Sequence, residues 1–98
     1  MAMVDALFQQ YQDDFDEVYE VVRTFIVAAP DSDYRIEILR SWPLGRYKPR
    51  VYKQETITLP GRNEMFVWRE YEMGYRTQND PDIAVKLALG VIKHQRGR

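Results

Sequence analysis

Apolar residues recur at Val4, Phe8, Tyr11, Phe15, Val18, Val22 and Phe25. The intervals alternate between four and three, the repeat of one helix face, and predict a long amphipathic helix over residues 4–28. Leu7, Tyr19, Val21 and Ile26 widen the stripe. Four of the seven stripe positions are aromatic, whereas a coiled-coil seam favours Leu, Ile and Val. The stripe, Phe15 included, is therefore expected to pack on the protein's own sheet, with a seam shared by two copies as the alternative. Asp5 is the candidate N-cap. Pro30 ends the helix by forcing Ala29 out of the helical region.

The pattern then changes period. Tyr34 to Ser41 alternates, with Tyr34, Ile36 and Ile38 on one face and Arg35 and Glu37 on the other, which predicts a half-buried strand. Trp42 to Pro49 holds two prolines and a glycine and reads as a loop. Arg50 to Leu59 predicts a second strand of imperfect alternation, since Val51, Ile57 and Leu59 share a face with Lys53 and Glu55. A bulge or a strand running past the edge of the core accounts equally for that. Pro60-Gly61 is a type II turn signal, and Met65 to Met73 predicts a third strand. Asp80-Pro81 supplies an N-cap and a first-turn proline for a closing helix whose stripe is Ile83, Ala84, Leu87, Ala88, Val91 and Ile92. Gly90 suggests a close approach to a neighbour. Lys93, His94 and Arg96 suit the helix's negative end.

These elements predict an α+β domain spanning residues 1–98, a two-layer α-β-β-β-α arrangement with a three-stranded antiparallel meander and two helices on one face. That order resembles the order of double-stranded-RNA-binding domains, in topology alone. The lysine-rich entry to that family's second helix has no counterpart, because residues 75–82 carry Arg76 as their only base and two aspartates.

Composition narrows the function classes. The 98 residues suffice for one core. There is no cysteine, which removes thiol catalysis, disulfides and cysteine-ligated zinc. The chain opens on no signal-peptide pattern and holds no apolar run of membrane-spanning length, so a cytoplasmic protein without membrane association is expected. Net charge is −1, unevenly spread: residues 1–34 hold eight acids and one base, and residues 35–53 hold six bases and one acid. Separated poles of this kind bear on partners rather than on fold.

Two candidate surfaces follow. On the predicted first helix Asp13, Asp14, Asp16, Glu17 and Glu20 form an acidic face, solvated or docking something basic. From Arg40 to Lys53, cations alternate with aromatics: Arg40, Trp42, Arg46, Tyr47, Lys48, Arg50, Tyr52 and Lys53. That mixture suits phosphates and stacked bases. No metal-ligand spacing, phosphate loop or nucleophile–base motif is present, and the lone histidine, His94, sits near the end of the chain. Glu55, Glu70 and Glu72 are the strand carboxylates available for acid–base work. The expected function is a non-enzymatic protein–protein interaction module, without cofactor or metal. Its partner is another protein or a second copy, reached through the acidic helix. Binding of nucleic acid or another anionic partner through the 40–53 hairpin is the alternative.

Overall fold

A computed structural model describes residues 3–42, 44–61, 63–74 and 76–97, with the side chains of Met3 and Val4 left aside. The side chain of the stripe position Val4, and Pro43 of the expected loop, Arg62 after the Pro-Gly turn and Tyr75 before the closing helix, lie outside what is described.

The long first helix is not formed. A short helix α1 spans Met3–Gln10, and the strand β1 runs from Val18 to Ala28. Turns occupy residues 11–14 between them. Asp13, Asp14 and Asp16 favour turns over helix interiors because their side chains compete for nearby backbone donors. Past them, six of the eleven residues of β1 are β-branched: Val18, Val21, Val22, Thr24, Ile26 and Val27. Such residues fit a pleated surface and lose side-chain freedom in a helix. Asp5 lies in the first turn of α1 rather than capping it. Phe15 is 59% exposed instead of buried. Pro30 belongs to the corner that leads into the next strand.

The sheet therefore has four strands, not three. After β1 come β2 (Asp33–Trp42), β3 (Tyr47–Thr58) and β4 (Glu64–Tyr71), and the antiparallel order β1-β2-β3-β4 follows the sequence. A bulge interrupts the β1–β2 ladder between Val21 and Arg23. The connection expected over 42–49 is shorter, because Tyr47, Lys48 and Pro49 pair with Arg40, Leu39 and Ile38. Pro49 is tolerated in β3 because β4 joins β3 only from Val51 onward, leaving a strand on one side alone at that point. The turn closes with Gly45 at φ 66°, the left-handed region open to glycine.

The closing helix α2 spans Pro81–Arg96. Asp80 caps it, its Oδ1 accepting from the Asp82 amide at 2.8 Å. Ala84, Ala88 and Ile92 meet Tyr34, Ile36 and Ile38 of β2 and Val51 of β3 to form the buried cluster. The two alanines let the helix sit close to the sheet. Ile83, expected in that stripe, is exposed. A Cβ built on Gly90 would meet nothing within 4 Å, so close approach does not explain that glycine. At the far end Arg96 Nε donates to Asp31 Oδ1 at 2.7 Å and ties the last turn to the β1–β2 corner. α2 lies across β2 and β3, and α1 meets the end of β2, where Phe8 sets its ring edge-on to Trp42, centroids 5.7 Å apart.

β3 and β4 outrun the rest of the sheet. β2 leaves β3 at Lys53, opposite Tyr34, whereas the β3–β4 register continues without a break to Thr58 opposite Glu64. The imperfect alternation of β3 thus comes from a strand running past the core, not from a bulge. At ~3.4 Å per residue the five extra residues project roughly 17 Å. This arm turns at Gly61, φ 89°. Ile57 lies opposite Met65 on it, both exposed.

Candidate functional site

Strand register sorts the side chains into two faces. On the face away from α2 it places Tyr19, Val21 and Ile26 of β1, Arg35, Glu37 and Leu39 of β2, Lys48, Arg50 and Tyr52 of β3, and Phe66, Trp68 and Glu70 of β4. Leu39 is buried there, apart from the cluster under α2. α2 packs on the opposite face, against β2 and β3.

Its centre is Arg35. The guanidinium carbon lies 4.2 Å from the Tyr52 ring centroid and 5.1 Å from that of Trp68. Two rings hold the planar cation by their quadrupoles, an interaction that strengthens as water is excluded. Arg35 Nε is buried without a hydrogen-bond partner, since Glu37 Oε2 stands 3.6 Å away. The other carboxylate oxygen of Glu37 accepts from the Tyr52 hydroxyl at 3.0 Å. Burial pushes the Tyr52 phenol above its usual range, and the bond to Glu37 adds to the shift. Arg50 Nε is 3.1 Å from Glu70 on the neighbouring strand. Lys48 Nζ lies 4.3 Å from the Tyr19 ring centroid. Phe66, one pleat from Trp68, is 70% exposed and covers nothing.

The hairpin surface expected over 40–53 is divided by this alternation. Lys48, Arg50 and Tyr52 stand on the open face. Arg40 points with the α2-side residues and binds Glu20 across the strands at 2.7 Å. Arg46 turns away to Thr77, its Nε donating to Oγ1 at 2.9 Å and its Nη2 to the carbonyl at 3.2 Å. Tyr47 exchanges backbone bonds of 2.8 and 2.6 Å with Gln78 and packs against the core. Lys53 approaches Asp31 at 4.0 Å. Trp42 packs on Phe8.

The acidic face is dispersed with its helix. Asp13 and Asp14 lie in the turns after α1, and Asp16 and Glu17 in the link to β1. Glu17 accepts from the Tyr19 hydroxyl at 2.7 Å, a bond that with burial raises that phenol's pKa. Glu20 is the β1 partner of Arg40. Of the strand carboxylates, Glu70 pairs with Arg50 at 3.1 Å and Glu55 with Arg69 at 3.6 Å. His94 is exposed on the last turn of α2. Among the described residues no group of three or more His, Asp and Glu side chains could hold a metal ion. No described helix is long and apolar enough to cross a membrane.

Sequence reasoning missed Arg35, Glu37, Trp68, Phe66 and Tyr19 as members of one site. Their strands pair across long sequence distances, and only the register joins them. The available signal was the polar, alternating side of β2, where Arg35 and Glu37 interrupt a β-rich run.

No family model matches the chain, and no curated protein or solved structure matches it.

Proposed function

We propose that this chain is a non-enzymatic protein-interaction module that docks another protein on the open face of its sheet. The observation that carries the reading is Arg35 held between Tyr52 and Trp68, with the exposed ring of Phe66 one pleat beyond Trp68. Tyr, Trp and Arg are the side chains that dominate protein–protein binding energy, because they bring large contact area and directed donors at small entropic cost. The charges favour a protein over a polyanion. Arg35 and Arg50 each face a carboxylate, Glu37 or Glu70. A phosphate backbone draws its affinity from cations free to replace its counterions. Paired charges instead match a partner surface of mixed sign.

One observation favours an anionic partner as the second reading: Lys48, Arg50 and Tyr52 share this face with Trp68 and Phe66, a layout on which bases can stack. Affinity enrichment with the parent and with Phe66→Glu and Trp68→Ala separates the two. The protein reading expects a stoichiometric complex that re-forms from purified components, is lost in both variants, and changes little with salt. Equal recovery by parent and variants overturns it. Binding to a single-stranded oligonucleotide that weakens steeply with salt replaces it with the anionic reading.

A further inference from the structure

We propose that two copies of this chain pair along the edge strand β1, with Ile26 opposite its own counterpart. This edge borders the docking face above, with Ile26 opposite Arg35, but its test reads the mass of the chain and does not depend on that reading.

β1 is the outer strand of the sheet, and among the described residues its outer row of backbone donors and acceptors has no neighbouring strand. Native sheets blunt such edges with charges, prolines or bulges. The first half of β1 is blunted in this way: Glu20, Arg23 and the Val21–Arg23 bulge all lie there. The second half, Thr24 to Ala28, has none of these, and Ile26 is 57% exposed on it.

Charge then selects the occupant and the edge. An antiparallel pair of identical strands related by a two-fold axis opposes residue i to residue j at a constant sum. Centred on Ile26, it sets Phe25 against Val27 and Thr24 against Ala28, with no charge in the ladder. The other edge repels itself in the registers that centre β4, and the register centred on Phe66 lies out on the two-stranded arm. β4 centred on Val67 would oppose Glu64 to Glu70, and centred on Trp68 would oppose Glu64 to Glu72. Like charges directly opposite are destabilising. Pairing β1 with β4 of another copy would not close and would grow into filaments, whereas β1 with β1 closes as a dimer. The bulge at one end and the Pro30 corner at the other confine the ladder to this neutral stretch. The product is an eight-stranded sheet with both α2 helices on one side and both open faces on the other.

The register supplies its own test. Ile26 stands opposite Arg35 within the chain, so Ile26→Glu suits the monomer while opposing two carboxylates in the dimer. Ile26→Lys opposes two ammonium groups. Light scattering should give the parent twice the chain mass of 11.7 kDa, each variant alone a single chain mass, and an equimolar mixture of the two the dimer again. Met65→Lys on β4 should leave the parent dimer intact. In the parent, exchange of the Thr24–Ala28 amides should slow as concentration rises, which reads the contact without any substitution. A monomeric parent overturns the proposal. So does a dimer that survives Ile26→Glu, a mixture that stays monomeric, concentration-independent exchange, or open-ended oligomers dispersed by Met65→Lys.

Discussion

Replacing Ile38 and Phe15 by alanine, each in its own variant, tests the fold at the point where the helix and strand readings of the chain diverge. Ile38 is fully buried in the cluster formed with Ala84, Ala88 and Ile92. Truncation removes three methylene equivalents, worth ~2.4 kcal/mol at ~0.8 kcal/mol each. α2 is held by Asp80 at one end and by Arg96 at the other, so the site can collapse only in part. A residual cavity of ~50 Å³ adds ~1.2 kcal/mol at ~24 cal/mol per Å³. The loss of ~3.6 kcal/mol is a large share of the ~5–15 kcal/mol that domains of this kind possess. It lowers the melting temperature by about 15–30 °C. Phe15 projects from the link before β1 and is more than half exposed. Its truncation should fall within ~0.5 kcal/mol. Urea titrations followed by circular dichroism measure both, and an unchanged slope keeps the comparison to stability alone. A Phe15→Ala variant as damaged as Ile38→Ala would mean that the aromatic stripe is a buried helix face and that β1 does not exist.

Burial pushes the Tyr34 phenol up to about 12, with the hydrogen bond to Asp31 adding to the shift. The folded-state value lies above the ordinary ~10, so the stability tied to the neutral phenol is complete below ~10 and is lost as pH rises toward the folded value. The urea midpoints of the parent and Tyr34→Phe should therefore converge through that range, and parallel curves would remove Tyr34 from the linkage. A double-mutant cycle on Glu37→Ala and Tyr52→Phe should return a coupling of ~0.5–3 kcal/mol, and strictly additive losses would mean that the Glu37–Tyr52 bond carries no stability.

The parts of the fold legible in the sequence are those where local chemistry and tertiary packing agree. β2 alternates Tyr34, Ile36 and Ile38 inward, and all three are buried. The Asp80-Pro81 start of α2 and the Pro60-Gly61 turn form where their residues dictate. Over 4–28 the two levels disagreed. A four-three spacing fits a helix face, but it also arises where a β-branched strand follows a short helix across an Asp-rich turn. The β-branched run of β1 was the deciding local signal, and the aromatic stripe concealed it. The expected hairpin surface kept Lys48, Arg50 and Tyr52 together because a strand sends alternate residues to one face. It lost Arg40, Tyr47 and Lys53 for the same reason, since a list of neighbours in sequence mixes both faces, and it lost Arg46 to the bonds with Thr77. Arg35 and Trp68, 33 positions apart, meet only through two ladders of register.

The arm gives the molecule two tiers of opening. β2 and residues 51–53 of β3 have a strand on either side and α2 above them, so their amides exchange only when the body comes apart. Past Lys53 each strand of the arm has a single neighbour, and a lone two-stranded ribbon is marginal in water. The innermost β3 residue of the core cluster is Val51, so the arm can fray from its tip without loosening the body. Ser32 marks the limit of that fraying, its hydroxyl donating to the Gln54 carbonyl at 2.7 Å like a pin at the base of a lever. Whatever grips the tip therefore orders the arm alone, and the entropy lost on binding is confined to these two strands.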